Sequence, residues 1–147
     1  MTIVAQILKS KPDQFVHTIA PAASVFDAVK LMAQKNIGAL IVMEGDEIAG
    51  IITERDYARK IVLMGRSSKE TQVGTIMTAP VICVGPNQAS EECMALMTEN
   101  RVRHLPVIEN GKLNGVISIG DLLKDIIAEQ KFIIKQLEHY IAGDRGA

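Results

Sequence analysis

The chain has 147 residues, 48% of them apolar and 22% charged, with a formal net charge of −1. This length and composition allow one compact unit with a sizeable core and exclude wholesale disorder. Near-neutral charge without a basic stripe, together with no Trp, two Tyr and three Phe, excludes both a nucleic-acid footprint and a base-stacking platform.

Residues 1–11 lack the charged opening, apolar run and small-residue cleavage site of a secretory leader. No apolar run approaches the roughly 20 residues that span a bilayer. Two cysteines, Cys83 and Cys93, are too few for a disulfide framework, so a reducing, cytoplasmic setting is expected.

In chain order, each half offers the same series of elements. An extended piece at 16–19 leads through Ala20-Pro21 to a helix, with Val25, Ala28, Val29, Leu31 and Met32 at helical spacing. Ser24 and Asp27 resemble a capping box with a shortened acid. Strands at 39–43 and 48–52 flank the hairpin-turn residues Glu44-Gly45-Asp46, and a second helix starts near Thr53. The polar stretch GRSSKE at 65–70 interrupts the pattern. The series then returns: an extended piece at 81–84, a turn at Gly85-Pro86, a helix carrying Cys93, Met94, Leu96 and Met97, strands at 104–108 and 113–118 around Glu109-Asn110-Gly111, and a helix from near Ser118. That last helix runs without Gly or Pro to Gly143, its apolar positions forming a broad face.

The two series align without gaps at an offset of 65 residues. Val16 matches Val81, Pro21 matches Pro86, Leu40 matches Leu105, Gly50 matches Gly115 and Asp56 matches Asp121. Farther upstream, Val4, Ile7 and Leu8 resemble Val73, Ile76 and Met77 at an offset of 69, so the first copy carries about four extra residues near 10–14. The organisation expected is a first repeat at 1–65, a linker at 66–72, a second repeat at 73–128 and a helical extension and tail at 129–147. The fold class expected is α+β: two β-α-β-β-α repeats packed sheet to sheet with pseudo-twofold symmetry and a long C-terminal helix. One such unit alone would be marginal.

The segments GIITERD at 50–56 and GVISIGD at 115–121, with RHLPV at 103–107, resemble the cystathionine-beta-synthase (CBS) domain family. The signature is Gly, two apolar residues, Thr or Ser, two variable residues and Asp. The run from Asp56, the GRSS linker and the QLEHYI tail at 136–141 are similar to the stand-alone bacterial tandem pairs. The resemblance implies a pseudo-twofold disc with two clefts for adenosine ligands, AMP, ADP, ATP or NAD(H), and a regulatory role.

The motif chemistry can be read separately. Gly50 and Gly115 let a ligand or a neighbouring chain approach closely. Thr53 and Ser118 open helices, where a hydroxyl can cap or face a ligand and free N–H groups attract phosphate. Asp56 and Asp121, three residues on, can accept both hydroxyls of a ribose, a task an acid performs in dinucleotide folds. Plain helix capping is the alternative, and the two roles are compatible.

Arg103 is the expected phosphate partner, because a guanidinium meets phosphate in a bidentate fork; the alternative is a surface ion pair. Arg55 is a second candidate cation or a solvated helix charge. His104 is either a structural histidine or a phosphate or ribose contact. In the first copy Gly38 and Ala39 replace Arg103 and His104, so the clefts are expected to differ. Ile19, Ile37, Val84 and Val102 are candidates for an apolar adenine slot, or plain core.

No metal site is expected, since His17, His104 and His139 have no partners at ligand spacing. No Ser-His-Asp order, P-loop or HExxH motif appears, so no catalysis is expected. The function expected is an adenine-nucleotide sensor, AMP or NAD(H) foremost, acting through ligand-dependent conformation on an unidentified enzyme or transporter. A ligand-free interaction scaffold is the alternative. The long helix either packs on the chain's own repeats or, the preferred reading, forms a homodimer contact; neither nucleic acid nor membrane insertion is expected.

Overall fold

The computed structural model describes residues 2–12 and 15–143. Asp13 and Gln14, in the stretch that lengthens the first copy, and the last four residues of the tail lie outside it. The elements are α1 (Val4–Ser10), β1 (Thr18–Ile19), α2 (Val25–Lys35), β2 (Ala39–Glu44), β3 (Glu47–Thr53), α3 (Glu54–Tyr57) with a π-helical continuation (Ala58–Val62), α4 (Val73–Ile76), α5 (Ser90–Asn100), β4 (His104–Glu109), β5 (Lys112–Ser118) and α6 (Ile119–Ile141). The α+β repeat pattern expected from the sequence is present, and the last helix of the second repeat continues into a single 23-residue α6.

Hairpins form the centre of each half. Strands β2 and β3 pair antiparallel from Ala39↔Thr53 to Glu44↔Glu47, and β4 and β5 pair from His104↔Ser118 to Glu109↔Lys112. Each carries an irregularity at the same place, between Val42 and Met43 and between Val107 and Ile108. Asn110 and Gly111 have φ of 52° and 76°, as a type I′ turn requires at both central positions. In the first hairpin only Gly45, at φ 63°, is left-handed.

The edge strands differ between the halves. β1 pairs parallel with β2 at Thr18↔Ile41 and Ile19↔Val42. The expected counterpart at 81–84 shrinks to the single bridge Val84↔Val107. Pro106 stands where β2 has Ile41, and it has no N–H to extend the ladder.

Helix α2 starts as expected at Ser24, whose Oγ accepts from Asp27 N at 3.1 Å. The linker is also structural. Thr71 O and Ser68 O accept from Val25 N and Phe26 N, both at 2.9 Å, which satisfies donors that the helix start leaves open.

The short helices opening each repeat are exchanged. Val73 and Ile76 of α4 belong to the core of the first half, with Val25, Met32, Leu40, Val42, Ile52 and Ile61. Val4 and Ile7 of α1 belong to the core of the second, with Val84, Cys93, Met97, Leu105, Val107, Ile117 and Leu122. All four exchanged side chains are essentially fully buried. Each contributes about 1.5–3 kcal/mol, so neither half completes its core alone.

This exchange accounts for the repeated glycines. A Cβ on Gly50 would lie 2.7 Å from Met77 Sδ and 2.9 Å from the Thr78 carbonyl oxygen. A Cβ on Gly115 would lie 2.7 Å from Leu8 Cδ2. The close neighbour is therefore the other repeat's opening segment. Gly50→Ala should lower stability by about 1–3 kcal/mol, because the Thr78 backbone cannot move aside. Gly115→Ala should cost less, since the Leu8 methyl can rotate. Thermal unfolding of the two variants checks the order.

Candidate functional site

The exchange carries residues 78–82 across the end of the first half, where Ile51 N donates to Thr78 O at 3.0 Å and Thr78 N donates to Ile51 O at 2.8 Å. Between this segment, the start of α3 and the junction of α5 with β4 lies a cleft of about 750 Å³. Of the residues singled out in the sequence, Gly38, Thr53, Arg55, Asp56, Val102, Arg103 and His104 line it. They come from both repeats, so the cleft exists only where the halves meet.

Asp56 sits at its base and is 7% exposed. Its Oδ2 accepts from Thr53 N at 3.0 Å and Thr53 Oγ1 at 3.2 Å, while Thr53 Oγ1 accepts from Asp56 N at 3.1 Å. The capping alternative is thus realised in full. Asp56 Oδ1 faces Thr78 Oγ1 and Lys60 Nζ, both at 3.2 Å. A sugar hydroxyl reaching Oδ1 would displace Thr78 Oγ1 or Lys60 Nζ, which also donates to Ile76 O at 2.8 Å, and leave the cap in place.

The helix-start amides are less available than the sequence suggested. Glu54 N donates to Gly38 O at 3.1 Å, and Asp56 N to Thr53 Oγ1. Positive charge comes instead from side chains: Arg55, Arg59, Lys60, Arg101 and Arg103 line the cleft against the acids Glu54 and Asp56. Arg101 ends α5 in the left-handed region, at φ 55°, a conformation that Asn36 adopts at the equivalent end of α2. Arg55 reaches the Arg101 carbonyl at 3.5 Å.

Several expected residues are elsewhere. Ile19 and Ile37 pack against the first core, and Val84 is buried in the second. None of the three lines this cleft. Ile51, Pro80, Val81 and Ile82, with Val102, supply its apolar wall instead. Ser118 and Asp121 form the equivalent capping box, Asp121 N to Ser118 Oγ at 3.2 Å and Ser118 N to Asp121 Oδ2 at 2.8 Å, outside this cleft.

Arg59 and Lys60 escaped the sequence reading although they lie one turn beyond Arg55 and Asp56, a spacing that places them on the same helix face. Thr78 and residues 80–82 had no such signal, because only the exchange brings them here.

Cys83 is exposed, Cys93 is buried and both are free. Burial pushes both thiols up, and Glu92 adds to the effect at Cys93. Among the described residues no group of three or more His, Cys, Asp or Glu side chains could hold a metal ion, and no helix is long and apolar enough to cross a membrane.

Burial holds the His104 imidazole below its ordinary pKa; Asp121 opposes this, while Lys11 and Arg103 reinforce it. The unfolded chain therefore takes up this proton first on acidification. The contribution of His104 should be intact above its ordinary pKa of about 6.5 and be lost as pH falls below that value. Denaturant titrations across this window should show a shallower loss of stability for His104→Gln than for the unaltered chain.

The CBS domain family model matches residues 4–63 and 73–128. The chain is 48% identical over 150 residues to the mitochondrial CBS domain-containing protein CBSX3 of Arabidopsis thaliana, covering 97% of this chain and 73% of that protein. A protein with CBS domains from Burkholderia ambifaria MC40-6 superposes with a TM-score of 0.85 at 62% identity, covering 88% of this chain and 96% of that one. The CBS domain pair of protein MJ0100, solved with 5′-methylthioadenosine and S-adenosyl-L-methionine, shares the fold at a TM-score of 0.76 and 24% identity, over 88% of this chain and 98% of that one. The chain belongs to the CBS-domain family, as a tandem CBS pair close to its bacterial signal-transduction proteins.

Proposed function

We propose that the chain is a regulatory module that binds a phosphate-bearing adenine nucleotide, of the AMP or NAD(H) class, in the cleft between its repeats and carries out no catalysis of its own. The observation that carries this reading is the composition of the cleft: five cationic side chains against two acids, one of them the buried Asp56, beside an apolar wall. Ile51, Ile82 and Val102 suit a purine face. Asp56 suits the ribose hydroxyls. Arg103, Arg101 and Arg55 suit phosphate, which an arginine fork can meet with two hydrogen bonds.

The adenosyl group is what this ligand shares with those bound by the MJ0100 pair. The charge argues against a close copy of that preference. A net positive cleft repels the sulfonium of S-adenosylmethionine and gains little from an uncharged thioether nucleoside. Because both repeats line the cleft, a ligand that favours one arrangement of the halves shifts their equilibrium, and an unidentified enzyme or transporter would read that change. The free thiols suit the reducing cytoplasm proposed as its location.

The scaffold alternative has one observation in its favour, the apolar face of α6. Ile127, Phe132, Ile133, Ile134, Leu137 and Tyr140 are all at least half exposed, so the extension does not fold back on the pair. We assign that face to a second copy of the chain, which makes the protein a homodimer.

Calorimetric titration should show AMP and NADH binding more tightly than 5′-methylthioadenosine. Asp56→Asn and Arg103→Ala should each weaken AMP by roughly tenfold or more, equivalent to about 1.4 kcal/mol. Equal affinity for the uncharged nucleoside would reject the phosphate assignment. Light scattering should give twice the chain mass in solution, and Ile134→Asp with Leu137→Asp should return the mass to that of one chain.

A further inference from the structure

Helix α6 carries a second apolar pattern that the chain itself leaves uncovered. Leu122 is its one buried residue, and every residue from Ile127 to Ile141 is exposed. Leu123, Ile127, Gln130, Ile134, Leu137 and Ile141 follow one another at alternating steps of four and three, the spacing of a coiled-coil seam. The five apolar members are 47% to 82% exposed. This stripe lies about 100° around the helix from Leu122, so the start of α6 stays docked on the second half while the seam remains free.

The residues beside the seam decide which partner fits it. One flank holds Ile126, Ile133 and Tyr140, the other Lys124, Lys131 and Glu138. A parallel second copy brings unlike flanks together and would set Lys131 and Glu138 against Ile126 and Ile133, whereas flanking charges select partner and orientation by pairing with opposite charges. An antiparallel copy joins like flanks. Apolar then meets apolar, and Lys124 meets Glu138 of the second copy, twice by symmetry. The sequence of α6 is thus complementary to itself in one orientation only.

We infer that the α6 helices of two chains pair as an antiparallel coiled coil centred near Phe132, with the two tandem pairs at opposite ends. This rests on the homodimer assignment above and adds orientation and register. The register of greatest apolar overlap sets Leu123 against Ile141 of the second copy, Ile127 against Leu137 and Gln130 against Ile134. The two Gln130 amides lie in neighbouring layers beside the twofold axis, within reach of each other, and a polar residue in a seam fixes register. Lys131 lies beside its own copy there, in solvent that screens the repulsion. Phe132 points away from the seam.

The test uses the full chain with Cys83→Ser, which removes the exposed native thiol. Ile127→Cys combined with Leu137→Cys should oxidise to a covalent dimer in non-reducing electrophoresis. Either cysteine alone should not, because it would lie about 15 Å along the axis from its own copy, beyond disulfide reach. Lys124→Glu should weaken the dimer roughly fivefold in sedimentation equilibrium, as two surface ion pairs turn repulsive, and adding Glu138→Lys should restore the unaltered value. Cross-linking by Ile127→Cys alone would overturn the antiparallel arrangement in favour of a parallel one. A dimer that none of these cysteines captures and that Leu63→Asp dissolves would move the contact to the exposed Val62, Leu63 and Met64 of the first half and likewise overturn it. A single-chain mass for the unaltered protein would instead remove the homodimer assignment and this inference with it.

Discussion

The exchange of opening helices between the repeats is the constraint on which the rest of the molecule depends. Val73 and Ile76 complete one core, Val4 and Ile7 the other. Because these side chains are buried across the boundary, the halves fold as one cooperative unit, and each obliges the other to keep glycine where the exchanged segment crosses its strand. The same crossing lays residues 78–82 along the end of the first half and so creates the cleft. A chain that kept each repeat to itself would have the signature residues without the wall opposite them.

Within that frame the signature Thr and Asp have two tasks. The Thr53–Asp56 box closes the start of α3 and fixes the carboxylate in one orientation. A carboxylate held in this way loses little further entropy when a hydroxyl arrives, which is the physical content of preorganisation. Local stability and recognition are therefore compatible uses of one residue pair. The equivalent pair in the second half keeps the cap, and Lys11 approaches the same carboxylate oxygen that closes it.

The fold was largely legible because its signals are local. Turn residues, helix starts and the alternation of apolar positions recur at a constant offset, and each acts on neighbours a few residues away. Two local readings failed for identifiable reasons. The strand expected at 81–84 shortened to one bridge, since Pro106 in the neighbouring strand cannot donate. Val84, Ile19 and Ile37 have the apolar character of an adenine slot and also of a core; Val84 is buried in the second core, and Ile19 and Ile37 pack partly buried against the first.

The sequence by itself determined the duplicated β-α-β-β-α pattern, the capping boxes and the unequal chemistry of Gly38 and Arg103, because propensity, hydrogen bonding within one turn and residue identity do not depend on distant partners. Only the tertiary structure decided which segments face one another. The register of residues 78–82 against Ile51, the meeting of Arg101 with Arg59 and Asp56 in one cleft, and the reach of Lys11 to Asp121 all depend on burial across long separations. Hydrophobic burial is non-directional: it favours removal of Val4 and Val73 from water in either half alike, and the shape of the assembled cores settles which half receives them.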